Sequence, residues 1–292
     1  MKIFHINKII LLLLINSGCS NLTLEDKIEK KFNDSDGVFA LAFKDLSSGR
    51  EIFFNEREDF HAASTMKTPV MIEVFKQANN GEFNLNDSII LKNEFKSIVD
   101  NSFFSLSDLE DNEEILYQYL GKNKSIYSLV EDMIIFSSNF ATNLIIDFIG
   151  SKNVNQTMRE IGAMDINVLR GVEDIKAYEQ GFNNTTTAYD LMLIYEKLAN
   201  GKIINKENSD NMIEILMNQK YRDIIPFYLP KEVKVAHKTG MITGLHHDSG
   251  IVFLPDGRKY VLVLLSKDLK DIKLGTLILA EVSKLIYDDL MR

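Results

Sequence analysis

Strand-forming runs lie at both ends of this chain, and helical periodicity fills the middle. Near the start, aliphatic and aromatic runs at 38–43 and 51–54 flank Ser47-Ser48-Gly49, a turn signal, which predicts an antiparallel hairpin. Three more such runs, at 233–238, 249–254 and 260–265, come late in the chain, the last two joined by Pro255-Asp256-Gly257. Such a layout closes one antiparallel sheet only by bringing the two ends together, with the middle set beside it as a helical unit. The expected fold is therefore α/β of the α+β kind: an antiparallel sheet flanked by N- and C-terminal helices, with an inserted all-helical domain.

The helices follow from apolar spacing. Leu24, Ile28 and Phe32 mark a short amphipathic helix over 23–33, and Val70, Met71, Val74 and Phe75 mark one over 64–78 that tolerates Pro69 near its start. Ile126, Leu129, Val130, Met133 and Ile134 form a third, and Leu144, Ile145, Phe148 and Ile149 continue the pattern beyond Asn139. Residues 170–184 lack a period and read as an irregular loop. Thr187 with Asp190 fits a capping box opening a helix at 189–198, and 274–290 closes the chain as a helix. The division expected is a leader at 1–19, a sheet domain from 20–60 and 216–292, and a helical domain over 61–215.

At 292 residues and 45% hydrophobic content the chain supports a sizeable core, which excludes disordered and collagen-like classes. Lys2 and Lys8, the apolar stretch 9–15 and Ser17-Gly18-Cys19 read as a secretory signal too short to span a bilayer. The expected location is accordingly exported: periplasmic, or anchored to a membrane through Cys19. Cys19 is the only cysteine, so no intramolecular disulfide forms. Without the two leader lysines the formal charge goes from −9 to −11, and no basic stripe appears, which argues against a nucleic-acid partner. Nothing points beyond a monomer.

Three short motifs carry chemistry: Ser64-Thr65-Met66-Lys67, Ser137-Ser138-Asn139 and Lys238-Thr239-Gly240, in that order. Each alone has a plain structural explanation, as a helix cap, an interhelical loop or a strand exit. A serine hydroxyl needs a base, and Lys67 lies one helical turn from Ser64, on the same face. That lysine acts only when neutral, so burial or a second cation, for which Lys238 is the candidate, must lower its pKa.

In order and content the trio resembles the motif set of class A serine β-lactamases and penicillin-binding proteins. The resemblance implies Ser64 as nucleophile, Lys67 as its proton acceptor and Ser137 as proton shuttle to the leaving nitrogen. Asn139 would bind the substrate side chain, Lys238 and Thr239 its carboxylate, and the amides of Ser64 and of Met241, after Gly240, the oxyanion. The implied substrate is a β-lactam, and no cofactor is needed. The lipobox-like Ile15-Asn16-Ser17-Gly18-Cys19 implies lipidation of Cys19, although Asn16 stands where Leu is usual.

The chain departs from the family at three places. No Glu-x-x-Leu-Asn stretch is present, so Glu173 is the favoured deacylation acid and Glu179 the alternative. Ser138 replaces an Asp, a loss for which hydroxyl hydrogen bonding would compensate in part. No Arg follows Gly240, leaving Lys238 alone or helped by a histidine. His246, His247 and Asp248 are neighbours on an extended chain and face opposite ways, so no metal site is expected there. A D-alanyl peptidase, another serine hydrolase, or a non-turnover β-lactam-binding sensor lipoprotein are the alternative functions.

Overall fold

A computed structural model describes residues 22–111 and 113–292, so the leader and Cys19 lie outside the described residues. In chain order the main elements are α1 (Leu24–Asn33), β1 (Val38–Asp45), β2 (Glu51–Phe54), α2 (Lys67–Asn79), α3 (Ile126–Ile135) and α4 (Asn139–Ile149). They continue with α5 (Ser151–Ile161), α6 (Ile175–Glu179), α7 (Ala188–Ala199), α8 (Lys206–Met217), β3 (Lys234–Ile242), β4 (Leu245–Phe253), β5 (Lys259–Lys267) and α9 (Ile272–Leu290).

The five strands form one antiparallel sheet in the order β2-β1-β5-β4-β3, so the two chain ends meet where β1 pairs with β5, from Val38 opposite Lys267 to Asp45 opposite Tyr260. Both faces are covered, which is why β1 and β5 read as almost continuous apolar runs. Side-chain alternation sends Phe39, Leu41, Phe43, Leu262 and Leu264 to a core shared with Ile28 and Phe32 of α1 and Leu279 and Val282 of α9. Ala40, Ala42, Val261, Val263 and Leu265 face the helical side. There α2 runs through the centre, with Val70, Met71, Ile72, Val74 and Phe75 all fully buried. Burying each such side chain stabilises the fold by about 1.5–3 kcal/mol.

Four local departures from the expected pattern matter. The segment at Ser64 is a 3₁₀ turn, Ala63–Met66, and the regular α-helix starts only at Lys67, because Ala63 enters with a left-handed backbone (φ 44°). Thr187 caps α7 through the Asp190 amide, but the Asp190 carboxylate turns instead to the amides of Asp165 and Ile166, leaving the capping box half made. Strand β4 begins at Leu245, ahead of the apolar run, because His246, His247, Asp248 and Ser249 are buried with polar partners. The 170–184 loop contains the short helix α6 and is stitched to the sheet side by Phe60 and His61 pairing with Thr186 and Thr185. Among the described residues no helix is long and apolar enough to cross a membrane.

Candidate active site

The 3₁₀ turn sets Ser64 between two cavities. The larger, about 280 Å³, is lined among others by Ser64, Asn139, Glu173, Tyr178, Met241 and Ile242. The smaller, about 110 Å³, is lined by Ser64, Ser137, Thr239, Gly240, Met241 and His246 with Tyr221 and Asp223. Strand β3 presses against the turn: a Cβ at Gly240 would stand 3.0 Å from the Ser64 amide nitrogen and 3.1 Å from that of Thr65. Glycine at 240 is thus what lets the strand lie against the serine.

Beneath the cavities Lys67 and Lys238 are both fully buried. Lys67 Nζ donates to the Ser137 carbonyl (2.7 Å), the Ser137 hydroxyl (3.3 Å) and Asn139 Oδ1 (3.0 Å). Lys238 Nζ reaches the same Ser137 hydroxyl at 3.0 Å and the Thr239 carbonyl at 2.9 Å. Burial pushes the Lys67 ammonium down to about 7, with Asp111 and Glu173 opposing the shift. Lys238 is also held well below the usual lysine range, first by burial and then by the charge of Lys67. Desolvation is thus the first cause of the depression at both lysines, and the charge of Lys67 adds to it at Lys238.

Ser137 joins α3 to α4 with a left-handed backbone (φ 60°), and Glu173 has the same feature (φ 62°). Non-glycine residues held in this region cost about 1–3 kcal/mol each. Asn139 Nδ2 donates to Glu173 Oε1 at 2.7 Å, so one amide links Lys67 to Glu173. The residue before the acid is clamped: Asn143 accepts from the Val172 amide at 2.6 Å and donates to its carbonyl at 2.9 Å. The residue after it, Asp174, accepts from the Ser97 hydroxyl and the Ile98 amide, both at 2.9 Å. Glu179 ends α6 on the surface and lines neither cavity.

The negative charge missing at position 138 comes from elsewhere in the chain. Asp111, buried, accepts from the amides of Asn139 and Phe140 and from the Ser138 hydroxyl, while Ser138 caps α4 through the Ala141 amide. No local sequence signal connects Asp111 to this turn. The three neighbours in β4 take separate partners: His246 bonds Thr276, His247 the His61 carbonyl, and Asp248 the His237 ring.

Residues 23–290 match the family model described as "Beta-lactamase enzyme family". A β-lactamase of Bacillus licheniformis is 27% identical, the match covering 89% of this chain and 80% of the relative. Among solved structures, PBP-A is 26% identical with a TM-score of 0.79, covering 92% of this chain and 96% of that one. The TLA-3 extended-spectrum β-lactamase is 20% identical with a TM-score of 0.82, covering 92% and 98%.

Proposed function

The chain belongs to the beta-lactamase enzyme family, and from that membership we propose that it hydrolyses the β-lactam amide through a class A-like serine acyl-enzyme. One observation carries this reading: a continuous hydrogen-bonded chain, Glu173–Asn139–Lys67–Ser137–Lys238, runs under cavities that Ser64 lines.

In this scheme Ser64 Oγ attacks the lactam carbonyl and its proton passes to Lys67, which is neutral in an appreciable fraction near pH 7. The oxyanion forms against the amides of Ser64 and Met241; losing one such donor costs about 3–4 kcal/mol of transition-state stabilisation. As the carbon–nitrogen bond breaks, Ser137 passes its proton to the departing nitrogen and takes in its place the proton that Lys67 Nζ received from Ser64. The Ser137 oxygen faces two lysines, so accepting from both directs the hydroxyl proton away from them, toward the smaller cavity. Lys238 and Thr239 meet the substrate carboxylate and Asn139 its side chain. Glu173 then takes a proton from water as the water oxygen bonds to the ester carbonyl carbon; when the acyl–Ser64 Oγ bond breaks, that proton passes to Ser64 Oγ, restoring the hydroxyl and the Glu173 carboxylate. No step calls for a metal or cofactor.

We also propose, from the leader sequence, that the enzyme is exported and anchored through a lipid on Cys19, and that it acts as a monomer.

Mixing the protein with a chromogenic β-lactam and following intact mass tests the reaction. Many turnovers per molecule are expected, with a transient adduct that Ser64→Ala abolishes. A single stoichiometric burst would replace hydrolysis with the peptidase or sensor reading, and an adduct on Ser64→Ala would remove Ser64 as nucleophile.

A further inference from the structure

The turn at Ser137–Asn139 is held from two sides. On one, Lys67 draws in the carbonyls of Ser137 (2.7 Å) and Ser138 (3.4 Å). On the other, the Asp111 carboxylate, 6% exposed, accepts from the Asn139 amide (3.1 Å), the Phe140 amide (2.7 Å), the Ser138 hydroxyl (3.3 Å) and the Tyr117 hydroxyl (3.0 Å). Asn139 and Phe140 open α4, so a carboxylate from a distant loop sits on that helix's N-terminal amides, where negative charge is favoured. The same turn carries the left-handed Ser137, whose hydroxyl must stay within reach of both lysines, and Asn139, whose amide spans Lys67 and Glu173.

We infer that Asp111 is a positioning residue for acylation: an anion supplied from outside the motif that fixes the Ser137 hydroxyl and the Asn139 amide against Lys67. Asp111 touches no reacting atom and acts through the turn. The inference rests on the acylation site proposed above. Among the described residues the charged groups facing Lys67 are Lys238, Asp111 and Glu173, and Asp111 favours the protonated form of Lys67. Neutralising Asp111 therefore frees the base at lower pH even as it loosens the turn.

The test compares the full-length protein with Asp111→Asn and Asp111→Glu, reading hydrogen exchange at the Asn139 and Phe140 amides and the rate of acylation by penicillin G across pH. For Asp111→Asn, exchange at both amides is expected to speed up at least about tenfold and acylation to slow about 10²-fold, the usual scale for a displacement of about 1 Å. The acid limb of its acylation profile moves to lower pH, a shift that mere loss of stability does not give. Asp111→Glu, which keeps the charge and moves it, slows acylation with the limb in place, and it serves alone should the Asn variant not fold. Acylation and exchange at wild-type levels in the folded variants would overturn the inference. If wild-type protein forms no adduct, the enzyme reading falls, while the exchange measurement still decides whether Asp111 anchors the turn.

Discussion

Glu173 stands in a left-handed backbone, bonded to Asn139 and lining the larger cavity, whereas Glu179 is exposed at the end of α6. Glu173→Ala is expected to leave adduct formation intact and slow adduct release about 10²–10⁴-fold, with Glu179→Ala near wild type; intact-mass time courses separate the two. The reverse pattern would move the deacylation role to Glu179. Residue spelling left both acids open, because the loop lacks the family's usual stretch; only the fold brings one of them to Asn139. The Ser64, Ser137 and Lys238 motifs could be read as one group because each spells itself locally. Asp111 could not, since the groups through which it holds the turn, the Asn139 and Phe140 amides and the Ser138 hydroxyl, lie far along the chain.

At the scale of elements, the acid loop depends on its contact with α4. A Cβ at Gly171 would fall 2.2 Å from Asn143 Oδ1, the atom that accepts from the Val172 amide. Gly171→Ala must push that amide side chain away, at a cost of about 1–3 kcal/mol as an overpacked site. Adduct release is expected to slow about tenfold or more with acylation kept, which a thermal melt paired with single-turnover kinetics checks. Equal loss in both steps would show a general disturbance instead. The hairpin β1–β2, the strand β5 and the closing helix were legible because apolar periodicity dictates them. The amphipathic helix α5, which buries only Val154, Thr157 and Met158, and the start of β4, built on buried histidines and Asp248, were not, since few apolar positions mark them.

Across the whole molecule, burying two lysines makes stability depend on pH in an unusual window. Lys67 titrates near 7 when folded and near 10.4 when unfolded, so between those values the unfolded chain holds a proton the folded chain lacks. Stability then rises with pH by about 1.4 kcal/mol per unit for that group. Lys238 is depressed too and adds in the same direction. The buried phenols of Tyr195 and Tyr260 are raised, so above about pH 10 the unfolded chain ionises first and the gain reverses. Urea melts at about pH 7.5 and 9.5 should show wild type gaining about 2 kcal/mol more than Lys67→Met, in which buried Lys238 still contributes its own share. Equal gains in both proteins would mean that Lys67 stays charged when folded. The overall layering was readable from the strand runs at the two ends; these buried charges were not, because a lysine's burial is decided by elements far from it.

Ser64 and Lys67 come from the first third of the chain, while Lys238 arrives on β3, after every helix but the last. A nascent polypeptide therefore carries no complete reaction centre until almost all of it has been synthesised. Cutting the connection at 218–233 would yield two fragments, each inert alone, whose renewed colour with a chromogenic substrate would report their reassembly.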